Sequence, residues 1–212
     1  MKLICVASLF LGVILYNSTL AESKNYETAE EFIKSIPHAD RSESLVAEGD
    51  LNGDNLKDFA VAVNIKSEGF ERHSQLHVLI QEKSGKFSLA ISSKKSPVAG
   101  MGCCWVESID IKNGSIFLQN NAKTACGMEA ATHQFKLYKN TWRLIGLKIS
   151  NYQHCEDPQL SEVRDFNILT GKTIKSTQLD GRPKKYERME FIPKKFLLKD
   201  FDFYNGFGAP ET

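Results

Sequence analysis

The stretch Ile109-Asp110-Ile111-Lys112-Asn113-Gly114-Ser115-Ile116-Phe117-Leu118 places apolar residues two apart on either side of an Asn-Gly pair. Asn-Gly supplies the positive φ angles of a type I′ turn, and period-two apolarity is the mark of a half-buried strand. The segment therefore reads as a tight β-hairpin. Toward the N-terminus the same period recurs in Phe59, Val61, Val63 and Ile65, and again in Leu76, Val78 and Ile80. Toward the C-terminus two strands are expected over 131–139 and 141–150, divided by a turn at Asn140. Phe135 and Leu137 share one face of the first, and Trp142, Leu144 and Ile145 give bulk to the second. Phe166-Asn167-Ile168-Leu169, a Thr170-Gly171 turn and Lys172-Thr173-Ile174 form one more hairpin. Short strands joined by tight turns predict a mainly β chain, an antiparallel meander closing into a sandwich or partial barrel.

One helix is expected ahead of these strands. Thr28-x-x-Glu31 has the form of a capping box, Ala29, Phe32, Ile33 and Ile36 line one face, and Pro37 ends the helix. Near the other end, Phe196-Leu197-Leu198 suits a short helix or an edge strand equally. No segment rich in Pro, Gly or Ser divides 22–212, so a single β-rich domain is expected there.

The first 21 residues read as a secretory signal peptide. Lys2 is followed by an uncharged apolar run of 14 residues, Leu3 to Tyr16, and by the small-residue site Thr19-Leu20-Ala21. Such a run is too short for a spanning helix. A periplasmic or secreted product without a transmembrane anchor is the expectation. Cleavage before Glu22 would leave 26 basic and 26 acidic side chains. That balance argues against nucleic acid and against anionic membranes as partners. A protein or glycan ligand is compatible with it.

Four cysteines follow the signal: Cys103, Cys104, Cys126 and Cys155. An even number in an exported chain points to disulfides. Of the three pairings, a bridge between the neighbours Cys103 and Cys104 requires a strained ring. The two crossed pairings, 103–126 with 104–155 and 103–155 with 104–126, are therefore expected. The chemical alternative is a redox pair, or a metal site joining Cys103, Cys104 and Cys126 with His154 and Cys155. No C-x-x-C is present, and the spacing matches no standard zinc pattern.

The most informative polar stretch is Gly49-Asp50-Leu51-Asn52-Gly53-Asp54-Asn55-Leu56-Lys57-Asp58-Phe59-Ala60-Val61. Asp50, Asn52, Asp54 and Asp58 place side-chain oxygens at loop positions 1, 3, 5 and 9, and the Leu56 carbonyl falls at position 7. Ca²⁺ takes six to eight oxygens, and carboxylates crowded this closely repel one another unless a cation lies between them. An EF-hand is excluded, because position 12 is Val61 and a strand follows. The pattern Asp-x-Asn-x-Asp-x-x-x-Asp before Phe-Ala-Val-Ala-Val resembles the calcium loop of FG-GAP (VCBS-type) repeats. That resemblance implies a Ca²⁺ held between two strands. It departs at position 6, Asn55 where Gly is usual, and Lys57 brings a positive charge into the loop. No second copy follows, and a propeller needs several blades. The order of the loop, of Thr141-Trp142-Arg143-Leu144-Ile145-Gly146 and of Phe166 to Lys172 also resembles short exported bacterial proteins with no assigned activity.

Catalytic motifs are weak. Ser92-x-x-Lys95 lacks the companion motifs of serine acylases, and Gly171-Lys172-Thr173 has Phe166 where a phosphate loop needs Gly. His133, between apolar neighbours, reads as a core histidine. His154 beside Cys155 is the best candidate base or ligand, and Trp105 could line a binding surface. The expectation is a non-enzymatic binding or envelope-associated module with one structural Ca²⁺ loop. The rival is an exported enzyme with a site near Cys103–Trp105 and His154.

Overall fold

The computed structural model describes residues 24–66, 72–98, 105–155 and 159–202. They form two antiparallel sheets and one helix. The first strand, β1 (Asn25–Tyr26), leads into α1 (Ala29–Ser35). Thr28 caps α1 by accepting the Glu31 N–H at 3.1 Å, and the Glu31 carboxylate reaches back to the Glu27 N–H at 2.7 Å. The first bond satisfies an amide that a helix start otherwise leaves open, and the second ties the residue ahead of the cap to the first turn. Ile36 already has extended backbone, so the helix stops before Pro37.

The first sheet continues with β2 (Ala39–Gly49), β3 (Asp58–Lys66), β4 (Arg72–Gln81), β5 (Phe87–Ser92) and β6 (Ser96–Val98). Its order is β1-β5-β4-β3-β2, with β6 also on β4. The edge strand β2 is interrupted: Asp40 pairs with Asn64 and Leu45 with Ala62, so four residues bulge out between them. The Asp40 carboxylate holds that bulge by accepting from the Ser42 hydroxyl at 2.7 Å and pairing with Lys66 at 2.7 Å.

The second sheet is an unbroken meander of β7 (Trp105–Lys112), β8 (Ser115–Thr124), β9 (Gly127–Tyr138), β10 (Thr141–Gln153), β11 (Leu160–Asn167), β12 (Lys172–Leu179) and β13 (Lys185–Glu190). The β7–β8 turn carries Asn113 at φ 52° and Gly114 at φ 68°, as the Asn-Gly pair requires. Lys139 and Asn140, at φ 50° and 56°, turn β9 into β10 in the same way. One expectation needs correction here. Trp142 and Leu144 point into the core, but the register slips between Leu144 and Gly146, and Ile145 is the extra, half-exposed residue of a bulge.

The sheets face each other across one core. Leu76, Val78 and Ala60 from the first meet Ile116, Leu118, Phe135 and Phe166 from the second. The C-terminal segment closes its open edge. Phe196 accepts the Leu144 N–H at 3.0 Å, Leu198–Asp200 makes a single 3-10 turn, and the buried Phe201 ring packs edge-on to Phe135 at 5.1 Å. The ambiguous 196–198 stretch is thus a short bridge followed by a 3-10 turn. Helix α1 lies on the opposite side of the first sheet, over a smaller apolar cluster.

Candidate functional site

The acidic loop joins β2 to β3. The side chains of Asp50, Asn52 and Asp54 answer backbone amides of the same loop. Asp50 Oδ1 accepts from the Gly53 N–H at 2.7 Å and the Asn52 N–H at 3.2 Å, and Oδ2 accepts from the Asn55 N–H at 3.0 Å. These donors, Gly53 first, hold the Asp50 carboxyl below the ordinary carboxylate range. Asn52 Oδ1 accepts the Asp54 N–H at 3.0 Å, while its side-chain N–H donates to Asp54 Oδ2 at 2.9 Å. Asp54 Oδ1 takes the Leu56 N–H at 2.8 Å. Gly53 and Asn55 have φ 86° and 66°, and Asn tolerates this left-handed conformation better than most residues with a side chain.

Asp58 is different in kind. It is wholly buried, and it ties three segments together: Oδ2 accepts the Leu51 N–H at 2.8 Å and Oδ1 the Gln81 N–H at 2.9 Å. Burial pushes its carboxyl up. The two amides oppose that shift, and the charges of Asp54 and Asp50 add to it. The loop therefore sets the charges of half-buried Asp50 and exposed Asp54 against a third that is buried. Lys57, whose charge bears on the same loop, is engaged with Glu48 of β2 at 2.6 Å.

The donor set suits a hard cation: three carboxylates, the Asn52 amide oxygen and the Leu56 carbonyl. No group of three or more His, Cys, Asp or Glu side chains converges at metal-binding distance among the described residues. Convergence here requires the Asn52–Asp54 side-chain bond to open and release Asp54 Oδ2. Beside the loop lies an open cleft of about 320 Å³, bounded by Asp50, Asn52, Gly53, Asn113, Gly114 and Lys136. Lys136 donates to the Asn113 carbonyl at 3.0 Å across its floor.

The cysteines correct the sequence reading. Cys126 pairs with Cys155, Cα atoms 5.0 Å apart, so neither crossed pairing forms. The reason is register. Gly127 of β9 stands opposite Gln153 of β10, which brings the flanking cysteines to the same flush end, and the His154 N–H seals it by donating to the Cys126 carbonyl at 2.9 Å. Cys103 and Cys104 lie outside the described residues, and of Trp105 only the backbone at the start of β7 is described. With Cys126 and Cys155 joined, the alternative metal site with His154 loses two of its thiolates. His154 is exposed and stacks on Tyr152 at 6.2 Å. A cleft of about 350 Å³ beside the disulfide is lined by Met128, Glu129, Asn151 and Gln153 with the cysteines.

The remaining motifs fall apart as chemistry. Ser92 meets His77 Nδ1 at 2.8 Å, while Lys95 is exposed on the loop beyond. Thr173 is buried in β12, and the Gly171-Lys172 turn opens no helix. His133 is a core residue, 3 % exposed, with Phe201 edge-on at 4.9 Å. The Ser92–His77 contact was not anticipated. It joins β5 to β4 beneath the helix, and no local pattern marks it.

The fold and site define a two-sheet antiparallel β protein with an acidic inter-strand loop and a disulfide at one sheet end. The chain matches no protein-family model, no curated protein and no solved structure.

Proposed function

We propose that the chain is an exported, non-catalytic β module in which the Asp50–Asp58 loop takes one structural Ca²⁺, and that it acts by binding a protein or glycan at the cell envelope or beyond it. The observation that carries this reading is Asp58, a buried carboxylate whose charge is opposed by burial and by Asp50 and Asp54. Asp50, Asn52, Asp54 and Asp58 with the Leu56 carbonyl would hold the ion. Its chemistry there is charge neutralisation, which turns mutual repulsion into a brace between β2 and β3. Export is supported by residues 1–21 and by a disulfide, a feature suited to oxidising compartments. No helix among the described residues is long and apolar enough to cross a membrane.

The test is a thermal melt of the oxidised protein in 5 mM Ca²⁺ and in EDTA. An extracellular-grade site with Kd near 10⁻⁴ M contributes about 2 kcal/mol under those conditions, a rise of about 5–9 °C in midpoint for a domain of this size. Asp54→Ala is expected to abolish the rise, and Mg²⁺ to leave it small. Equal midpoints in Ca²⁺ and EDTA would reduce the loop to a polar turn.

A further inference from the structure

Helix α1 covers the outer face of the first sheet. Phe32 and Ile33 sit over Val61, Val63 and Leu79 in an apolar cluster distinct from the inter-sheet core. His77 is embedded in that face, 4 % exposed, with Val61 and Ser92 as its strand partners. Its ring meets Phe32 edge-on, centroids 4.9 Å apart. Nδ1 has the Ser92 hydroxyl at 2.8 Å, whereas Nε2 has no hydrogen-bond partner.

We propose that His77 is an acid-operated latch for α1: protonation of its ring drives the helix off the sheet and opens the apolar face beneath, while the inter-sheet core stays closed. An imidazolium donates through both nitrogens, and this site offers it a single hydroxyl. A buried charge without partners is costly, so the charged ring must reach water. Strand β3 beside His77 is hydrogen-bonded on both edges, and β5 is paired with β4 along its length and with β1 at Phe87 and Ser88. The helix above it is seven residues long and is held by one apolar face. Lifting α1 is therefore the local opening of lowest cost.

The surrounding charges offer no relief. On α1, Glu30 pairs with Lys34 at the surface at 2.5 Å, and Glu31 accepts the Glu27 N–H. On β3, Asp58 is held by the Leu51 and Gln81 amides, and Lys66 pairs with Asp40 of β2. Arg41, Glu43 and Glu48 of β2 are exposed. Strand β5 has no charged residue, β1 contributes the Tyr26 hydroxyl near Ser35 at 3.5 Å, and β4 itself has the half-exposed His73. Burial alone pushes His77 down, to about 4 from its ordinary 6.5.

The test is amide hydrogen exchange on the oxidised protein at pH 7 and pH 5, corrected for intrinsic rates. Linkage predicts an opening constant for α1 about 20-fold larger at pH 5. The Phe32 N–H, bonded to the Thr28 carbonyl, and the Ile36 N–H are the reporters. Amides of Leu118, Phe135 and Leu144 are expected to lose protection only as far as the global unfolding free energy falls over the same pH interval. His77→Phe, which preserves the ring and removes the proton site, abolishes the pH response. His77→Gln serves as a second, smaller variant and does the same. Equal protection of α1 at the two pH values overturns the latch. So does an undiminished response in either variant, or an opening free energy of α1 at pH 5 equal to that of global unfolding.

Discussion

Between pH 7 and pH 4 the unfolding free energy is expected to fall by on the order of 6 kcal/mol, shared between His77 and His133. Both rings are buried and both are pushed down to about 4, chiefly by burial. His133 lies between Leu118 and Leu147 in the second sheet, with Phe135 and Phe201 about it. The sign follows from proton counts. In the unfolded chain each ring binds its proton near pH 6.5, whereas in the folded chain it does so only near 4. The unfolded state therefore holds more protons throughout that window. Stability is fully present above about pH 6.5 and is lost as pH falls toward 4. Urea unfolding at half-unit pH steps measures the slope. Loss that begins near pH 6.5 identifies the histidines, while loss confined below about 4.5 would assign it to carboxylates. His133→Phe is expected to remove roughly half of the pH dependence at some cost to packing.

Replacing Cys126 and Cys155 together by Ser is expected to cost about 3.5 kcal/mol on the chain-entropy account, a fall of about 7–14 °C in midpoint. The bridge spans 29 residues of sequence and clamps the end of β9–β10 where no turn joins them. That end is tightly set: a Cβ on Gly127 would stand 2.2 Å from the Tyr152 carbonyl oxygen. Without the bridge the strands are expected to fray from Gln153 inward, and exchange at the His154 N–H reports it directly. Paired melts of the double variant and the oxidised parent, both without Ca²⁺, isolate this term from the loop.

What the sequence disclosed and what it concealed divide along physical lines. Features set by neighbouring residues were legible. Asn113-Gly114 determines its own turn, Thr28 and Glu31 cap their own helix, and β3 advertises its face through Val61 and Val63. The chain order of the second sheet followed, because a meander pairs each strand with the next. Features set by distant register were not legible. The Cys126–Cys155 pairing depends on how two long strands end flush, and on a bulge at Ile145 that an apolar residue does not announce. Strand β2 is an exposed edge with a four-residue excursion, so its side chains lack the period of a half-buried strand. Phe201 became a core residue only through its packing on His133 and Phe135 of β9, far from it in sequence. In the acidic loop, the oxygen-bearing positions were visible as a pattern. That Asp58 is the buried member, holding Leu51 and Gln81, required the fold.

The proposed Ca²⁺ brace of the loop is tested most directly by calorimetric titration of the oxidised protein with Ca²⁺ at pH 7, beside Asp54→Ala. The expected result is one saturable site per chain, with Kd of about 10⁻⁴ to 10⁻³ M, that the substitution removes. A titration that shows no saturable heat up to about 10 mM Ca²⁺, ten times the weakest affinity of that range, would contradict it. The same signal in Asp54→Ala would place the ion elsewhere and contradict it equally.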